Sequence, residues 1–185
     1  MNMRVLVFAA TNHSQSINKQ LAMYVAQRVK GASSHNVNIE VLDLNDYEMP
    51  IYSQDREEVS GIPQLAYDFR SKIAEADAII IGFAEHNGTY SVAYKNVFDW
   101  TSRIDRSVYQ SKPALLLATS PGPGGANNVL TQAVTSAPYF DMKVIAQFSL
   151  PSYFDNFQGA EEVIKDAELE QQLLTAVDAL NSELK

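Results

Sequence analysis

The chain has 185 residues, 46% hydrophobic and 19% charged, which is enough apolar material for one globular domain over residues 1–185 with a sizeable core. A formal net charge of −8 argues against a nucleic-acid partner, whose phosphates require a basic face. The absence of cysteine excludes disulfides, thiol catalysis and Cys-ligated metal or iron–sulfur centres, so any redox chemistry has to come from a bound cofactor, in a composition that fits a reducing cytoplasm.

The first apolar run, Val5 to Ala10, is too short for a signal-peptide core or a membrane span and predicts a soluble, intracellular protein with no membrane partner. It reads as a strand over Val5–Ala9. Ala10-Thr11-Asn12-His13-Ser14-Gln15-Ser16-Ile17-Asn18 then opens a helix whose Ile17, Leu21, Val25 and Val29 form one apolar stripe. A helix N-terminus suits a phosphate, and here Thr11, Ser16 and Asn18 add side-chain donors while His13 adds a donor or, protonated, a charge. The simpler alternative is an N-cap by Ser14 or Ser16. Neither Gly-x-Gly-x-x-Gly nor Gly-x-x-x-x-Gly-Lys-Ser/Thr occurs, so a monophosphate suits this loop better than a dinucleotide.

Val37–Leu42 gives a second strand, and a polar stretch without periodicity follows from Leu44 to Ile62; loops of that length are functional or interfacial. The third run, Ala78–Phe83, is uninterrupted, as expected of a strand covered on both faces. It leads into Ala84-Glu85-His86-Asn87-Gly88-Thr89-Tyr90 and a helix carrying Lys95, Asn96, Asp99 and Trp100. Gly88 permits close backbone approach, Thr89 or Ser91 can cap the helix, Lys95 and Asp99 have ion-pair spacing, and Trp100 belongs to the core or to a subunit interface. Ala114–Ala118 forms a fourth strand. Thr119-Ser120-Pro121-Gly122-Pro123-Gly124-Gly125 after it can present backbone N–H groups to an anion or serve as a connector. Val144–Phe148 forms the fifth strand. A second aperiodic stretch, Pro151 to Gly159, contains Tyr153, Phe154 and Phe157, and the last helix carries Leu169, Leu173, Val177, Leu180 and Leu184. Five βα units predict an α/β three-layer sandwich, flavodoxin-like, with a parallel five-stranded sheet in the order 2-1-3-4-5. The loops after strands one, three and four then emerge at one carboxyl edge and can converge on one ligand.

Glu85, Asn87, Gly88, Lys95, Asn96, Asp99 and Trp100 stand in register with Pro-Glu-Tyr-Asn-Gly-Ser and Leu-Lys-Asn-Ala-Ile-Asp-Trp of the NAD(P)H-dependent FMN reductase family, which the chain resembles over most of its length. The first loop keeps Thr11, Ser16 and Asn18 of Gly-Ser-x-Arg-x-x-Ser-x-Asn, with Ala10 for the glycine and His13 for the arginine; His86 replaces a tyrosine and Ala84 a proline. The resemblance implies FMN and NAD(P)H as cofactors. It places Thr11, His13, Ser16, Ile17 and Asn18 at the phosphate. Ala84, Glu85, His86, Asn87 and Gly88 follow along the ribityl chain and ring edge, Asn87 and Gly88 closest, and Ser120, Pro121, Gly122, Gly124 and Gly125 lie beside the pyrimidine. It further implies ping-pong hydride transfer without a catalytic side chain or a metal, to an acceptor such as free flavin, a quinone, an azo dye or a metal oxyanion. A homodimer or homotetramer is expected, with 44–62 and 151–159 as contacts. Two other readings stay open: a flavodoxin-like electron carrier without nicotinamide-dependent turnover, and an accessory protein that has kept the fold and lost the flavin.

Overall fold

Uninterrupted apolar runs become strands whose two faces are both covered by helices. The computed structural model describes residues 2–158 and 163–184, so Gly159, the last residue of the second aperiodic stretch, lies outside the described residues. The chain runs β1 (Asn2–Ala9), α1 (Ile17–Ala32), β2 (Asn36–Leu42), α2 (Gln54–Ser60), α3 (Gln64–Glu75), β3 (Ala78–Phe83), β4 (Glu85–His86) and β5 (Thr89–Tyr90). It continues through α4 (Val92–Ile104), β6 (Lys112–Thr119), α5 (Asn127–Ser136), β7 (Met142–Leu150), α6 (Tyr153–Asn156), β8 (Phe157–Gln158), β9 (Val163–Ile164) and α7 (Ala167–Asn181).

The main sheet has five strands in the order β2-β1-β3-β6-β7, every neighbouring pair parallel, which is the expected order 2-1-3-4-5. Successive side chains on a strand point to opposite faces. Val5, Val7, Ile80, Leu115 and Leu117 accordingly meet Leu21, Val25 and Val29 of α1 and Leu173, Val177 and Leu180 of α7. Leu6, Phe8, Ile79, Ile81 and Leu116 meet α3, α4 and α5 on the other face. Both predicted leucine–valine stripes are therefore core faces. β7 carries one extra residue opposite the Ala114/Leu115 step of β6, a bulge on the sheet's outer edge.

The stretch 44–62 is not structureless. It contains a 3₁₀ turn, Leu44–Tyr47, with Leu44 and Tyr47 buried, and then α2, capped by Ser53 and ended at Gly61, none of whose residues is buried. Asn96 and Trp100 of α4 fasten this stretch: Asn96 Nδ2 donates to the Met49 carbonyl (2.9 Å), Asn96 Oδ1 accepts from Tyr52 N–H (2.9 Å), and Trp100 Nε1 donates to the Pro50 carbonyl (2.7 Å). Lys95 and Asp99 pair at 2.6 Å on the outer side of the same helix. In the later stretch Tyr153 and Phe157 are core residues packed with each other, Phe157 also against Tyr24, while Phe154 stays 67% exposed. Among the described residues no helix is long and apolar enough to cross a membrane.

Candidate functional site

The carboxyl ends of β1, β3 and β6 lie side by side, so the segments leaving them share one edge of the sheet. After β1, local bonds fix the path into α1. His13 N–H donates to Thr11 Oγ1 (3.3 Å), Ser16 N–H donates to the His13 carbonyl (3.2 Å), and Ser16 Oγ caps α1 by accepting from Lys19 N–H (3.2 Å). Thr11 and Ser16 are buried, and each hydroxyl oxygen already accepts a backbone N–H, so each keeps its own hydrogen for an acceptor outside the loop. The cap of α1 is thus Ser16, one of the two expected alternatives.

Asn18 has a role that its sequence position does not reveal. Its Nδ2 donates to the Thr119 carbonyl (3.1 Å) and its Oδ1 accepts from Thr119 N–H (2.9 Å), which fastens the first turn of α1 to the end of β6. One amide hydrogen is left for a ligand. Ser91, the cap of α4, makes a second tie by donating to the Ala10 carbonyl at 2.7 Å.

The second loop is a hairpin. β4 pairs antiparallel with β5, and the two residues between them, Asn87 (φ 52°) and Gly88 (φ 79°), both have the positive φ of a type I′ turn. The hairpin lies along α5: Thr89 Oγ1 donates to Gln132 Oε1 (2.8 Å) and Tyr90 OH bonds Ser136 Oγ (3.1 Å). Glu85 Oε2 accepts from Val129 N–H (2.9 Å), in the first turn of α5, whose own N-cap residue, Ala126, makes no side-chain cap bond. A carboxylate from another loop thus caps α5, and the positive end of that helix offsets its charge. Glu85→Ala is expected to cost about 1 kcal/mol of stability and Glu85→Gln, which keeps the acceptor, about half of that, as read from urea midpoints.

The third loop folds back on α6. The Gly122 carbonyl accepts from Ser152 N–H (2.9 Å), the Ser120 carbonyl from Tyr153 N–H (3.0 Å), and the Gly125 carbonyl from Ser149 Oγ (2.8 Å).

The three loops meet around a cavity of about 200 Å³. From the first come Thr11, His13, Ser16, Ile17 and Asn18; from the second Ala84, Glu85 and His86; from the third Ser120 and Pro121. Thr119, absent from the expected set, also lines it, and its place as the last residue of β6 is the signal that could have found it. Asn87 and Gly88 sit at the exposed hairpin tip, Gly122 is bonded to Ser152 at the start of α6, and Gly124 and Gly125 lead into α5; none of these five lines the cavity. His86 also borders a second cavity of about 270 Å³, beside Asn12, Glu48 and Met49. That one shares Ile51, Val92 and Asn96 with a third, of about 360 Å³, which Tyr52 and Tyr90 also line. A helix N-terminus with two buried hydroxyl donors, a free amide hydrogen and two imidazoles fits a phosphomonoester such as the FMN phosphate.

The model of one family, described as NADPH-dependent FMN reductase, matches residues 3–155. The chain belongs to that family. As an FMN reductase of this kind it is a flavin-dependent oxidoreductase with FMN and NAD(P)H as its cofactors. A 2-hydroxy-1,4-benzoquinone reductase of a Burkholderia species is 29% identical over 148 residues, 80% of this chain and 76% of that protein. An NADPH:quinone oxidoreductase of Arabidopsis thaliana is 35% identical over 92 residues, 50% of this chain and 45% of its own length. Among solved structures, the flavoenzyme NAD(P)H:(acceptor) oxidoreductase FerB of Paracoccus denitrificans superposes with a TM-score of 0.73 at 22% identity, covering 97% of this chain and 96% of that one, and so shares the FMN reductase fold.

Proposed function

We propose that this FMN reductase passes electrons from NAD(P)H to a small planar acceptor, a quinone or free flavin, in two half-reactions at one site. The reading is carried by the three-loop cavity, whose donors suit a phosphomonoester, together with the two adjoining cavities on the hairpin side. FMN held there would supply the two-electron chemistry between a nicotinamide and the acceptor. The chain's own part is to hold and orient. Thr11 and Ser16 donate to the phosphate, the Asn18–Thr119 bonds keep the first and third loops at a fixed spacing, and the hairpin clamped on α5 forms one wall. The third cavity, bordered by Ile51, Tyr52, Tyr90 and Val92, offers an apolar wall to a flat organic acceptor, which favours quinones over metal oxyanions.

The test is the absorption spectrum of FMN-loaded protein under anaerobic conditions. Bleaching by NADPH or NADH, followed by reoxidation with a benzoquinone, is the expected result; flavin bleached by dithionite but by neither nucleotide would replace this reading with an electron carrier. Two or four copies pair through the apolar surface beside the site, where Ile51 is 64% and Val92 69% exposed. Light scattering on the wild type and on Ile51→Glu checks this, and a monomeric wild type would refute it.

A further inference from the structure

A phosphomonoester carries close to two negative charges at neutral pH, and the chain itself has a net charge of −8, so local positive charge would strengthen a phosphate site here. Among the described residues no lysine or arginine lines the three-loop cavity; its ionisable side chains are His13, Glu85 and His86. Lys19 lies one turn into α1 but faces the groove on the other side of Ser16, and Asp43 holds it at 2.6 Å. Glu85 is bonded to α5. Glu48 shares the wall of the second cavity with His86. The cavity thus offers two of the chain's three histidines and no permanent cation.

The geometry points to an imidazole phosphate clamp: given the FMN site proposed above, His13 and His86 make this chain's preference for FMN over riboflavin depend on proton uptake, so that FMN is released as pH rises. A protonated imidazole offers two N–H donors and a charge, a neutral one a single N–H and no charge. The dianion favours the protonated form, so binding draws a proton onto the clamp wherever the free imidazole is neutral. Affinity is complete at pH values where the clamp is already protonated and falls as pH rises beyond them. Riboflavin has no phosphate and does not respond.

The experiment measures Kd for FMN and for riboflavin on flavin-free protein, by quenching of flavin fluorescence, from about pH 7 to about pH 9, a range in which the phosphate stays a dianion. FMN binding is expected to weaken about tenfold relative to riboflavin across that range. Titration calorimetry in two buffers of different ionisation enthalpy should show net proton uptake with FMN and none with riboflavin. His13→Arg should raise the FMN-to-riboflavin ratio and flatten its pH dependence, leaving only the part carried by His86. A ratio independent of pH in the wild type, or FMN binding without proton uptake, overturns the clamp while leaving the FMN site standing. Failure of both flavins to bind at any pH overturns the clamp and the site together.

Discussion

Asn18→Ala is expected to lower folding stability by about 2–4 kcal/mol and to weaken FMN binding at least tenfold, although the side chain has only one amide hydrogen to give a ligand. The cause lies in Thr119. Its N–H and carbonyl close on the Asn18 amide at 2.9 and 3.1 Å, and the residue is buried at the end of β6. Alanine leaves a buried donor and a buried acceptor with fewer partners, at about 1–3 kcal/mol each. It also unties the first turn of α1 from the third loop, so the hydroxyls of Thr11 and Ser16 lose their fixed distance from Ser120. Riboflavin and FMN should suffer together, because the defect is in the spacing of the loops. Urea midpoints and the two Kd values measure both effects. An unchanged midpoint would mean that water takes the place of the amide and that the tie is dispensable.

Asn18 also marks where the sequence stops being informative. The strands were legible because β3 and its neighbours are continuous apolar runs buried on both faces, and α1 and α7 because their stripes repeat at helical spacing. α2 was not legible: none of its residues is buried, so it has no apolar face to generate a period, and only Ser53 and Gly61 mark its ends. Asn87-Gly88 is a plain hairpin signal, since both positions of a type I′ turn need positive φ, yet the family likeness draws attention to it as a flavin contact. Thr11, Ala84 and Ser120, close to the strand ends, and Ser16, the N-cap of α1, line the cavity, and their positions follow from the topology alone. Glu85, Asn96 and Trp100 could not be read in the same way. Each is a family motif residue whose observed bond is to backbone distant in sequence, at Val129, Met49 and Pro50 respectively.

Gly82→Ala should be a strongly damaging single-methyl change near the site. A Cβ there would stand 2.5 Å from the Asn18 carbonyl oxygen and 3.1 Å from its carbonyl carbon, both backbone atoms in the first turn of α1 that no rotamer change can move. Either β3 or α1 has to shift, and neither is free to do so. Gly82 accepts the Ala10 N–H at 2.8 Å, Ala10 in turn accepts Ser91 Oγ, and Asn18 is bound to Thr119. Overpacking of this kind costs about 1–3 kcal/mol, and here the strain falls on the loop that carries the phosphate donors, so a loss of FMN affinity of about tenfold or more should accompany it. Gly31→Ala, in α1 but away from the site, is the matched comparison, because a Cβ at that position meets nothing within 4 Å and should leave FMN binding near wild type without loss of stability. If the two variants behaved alike, close packing of α1 on β3 could not be what sets the geometry of the phosphate loop.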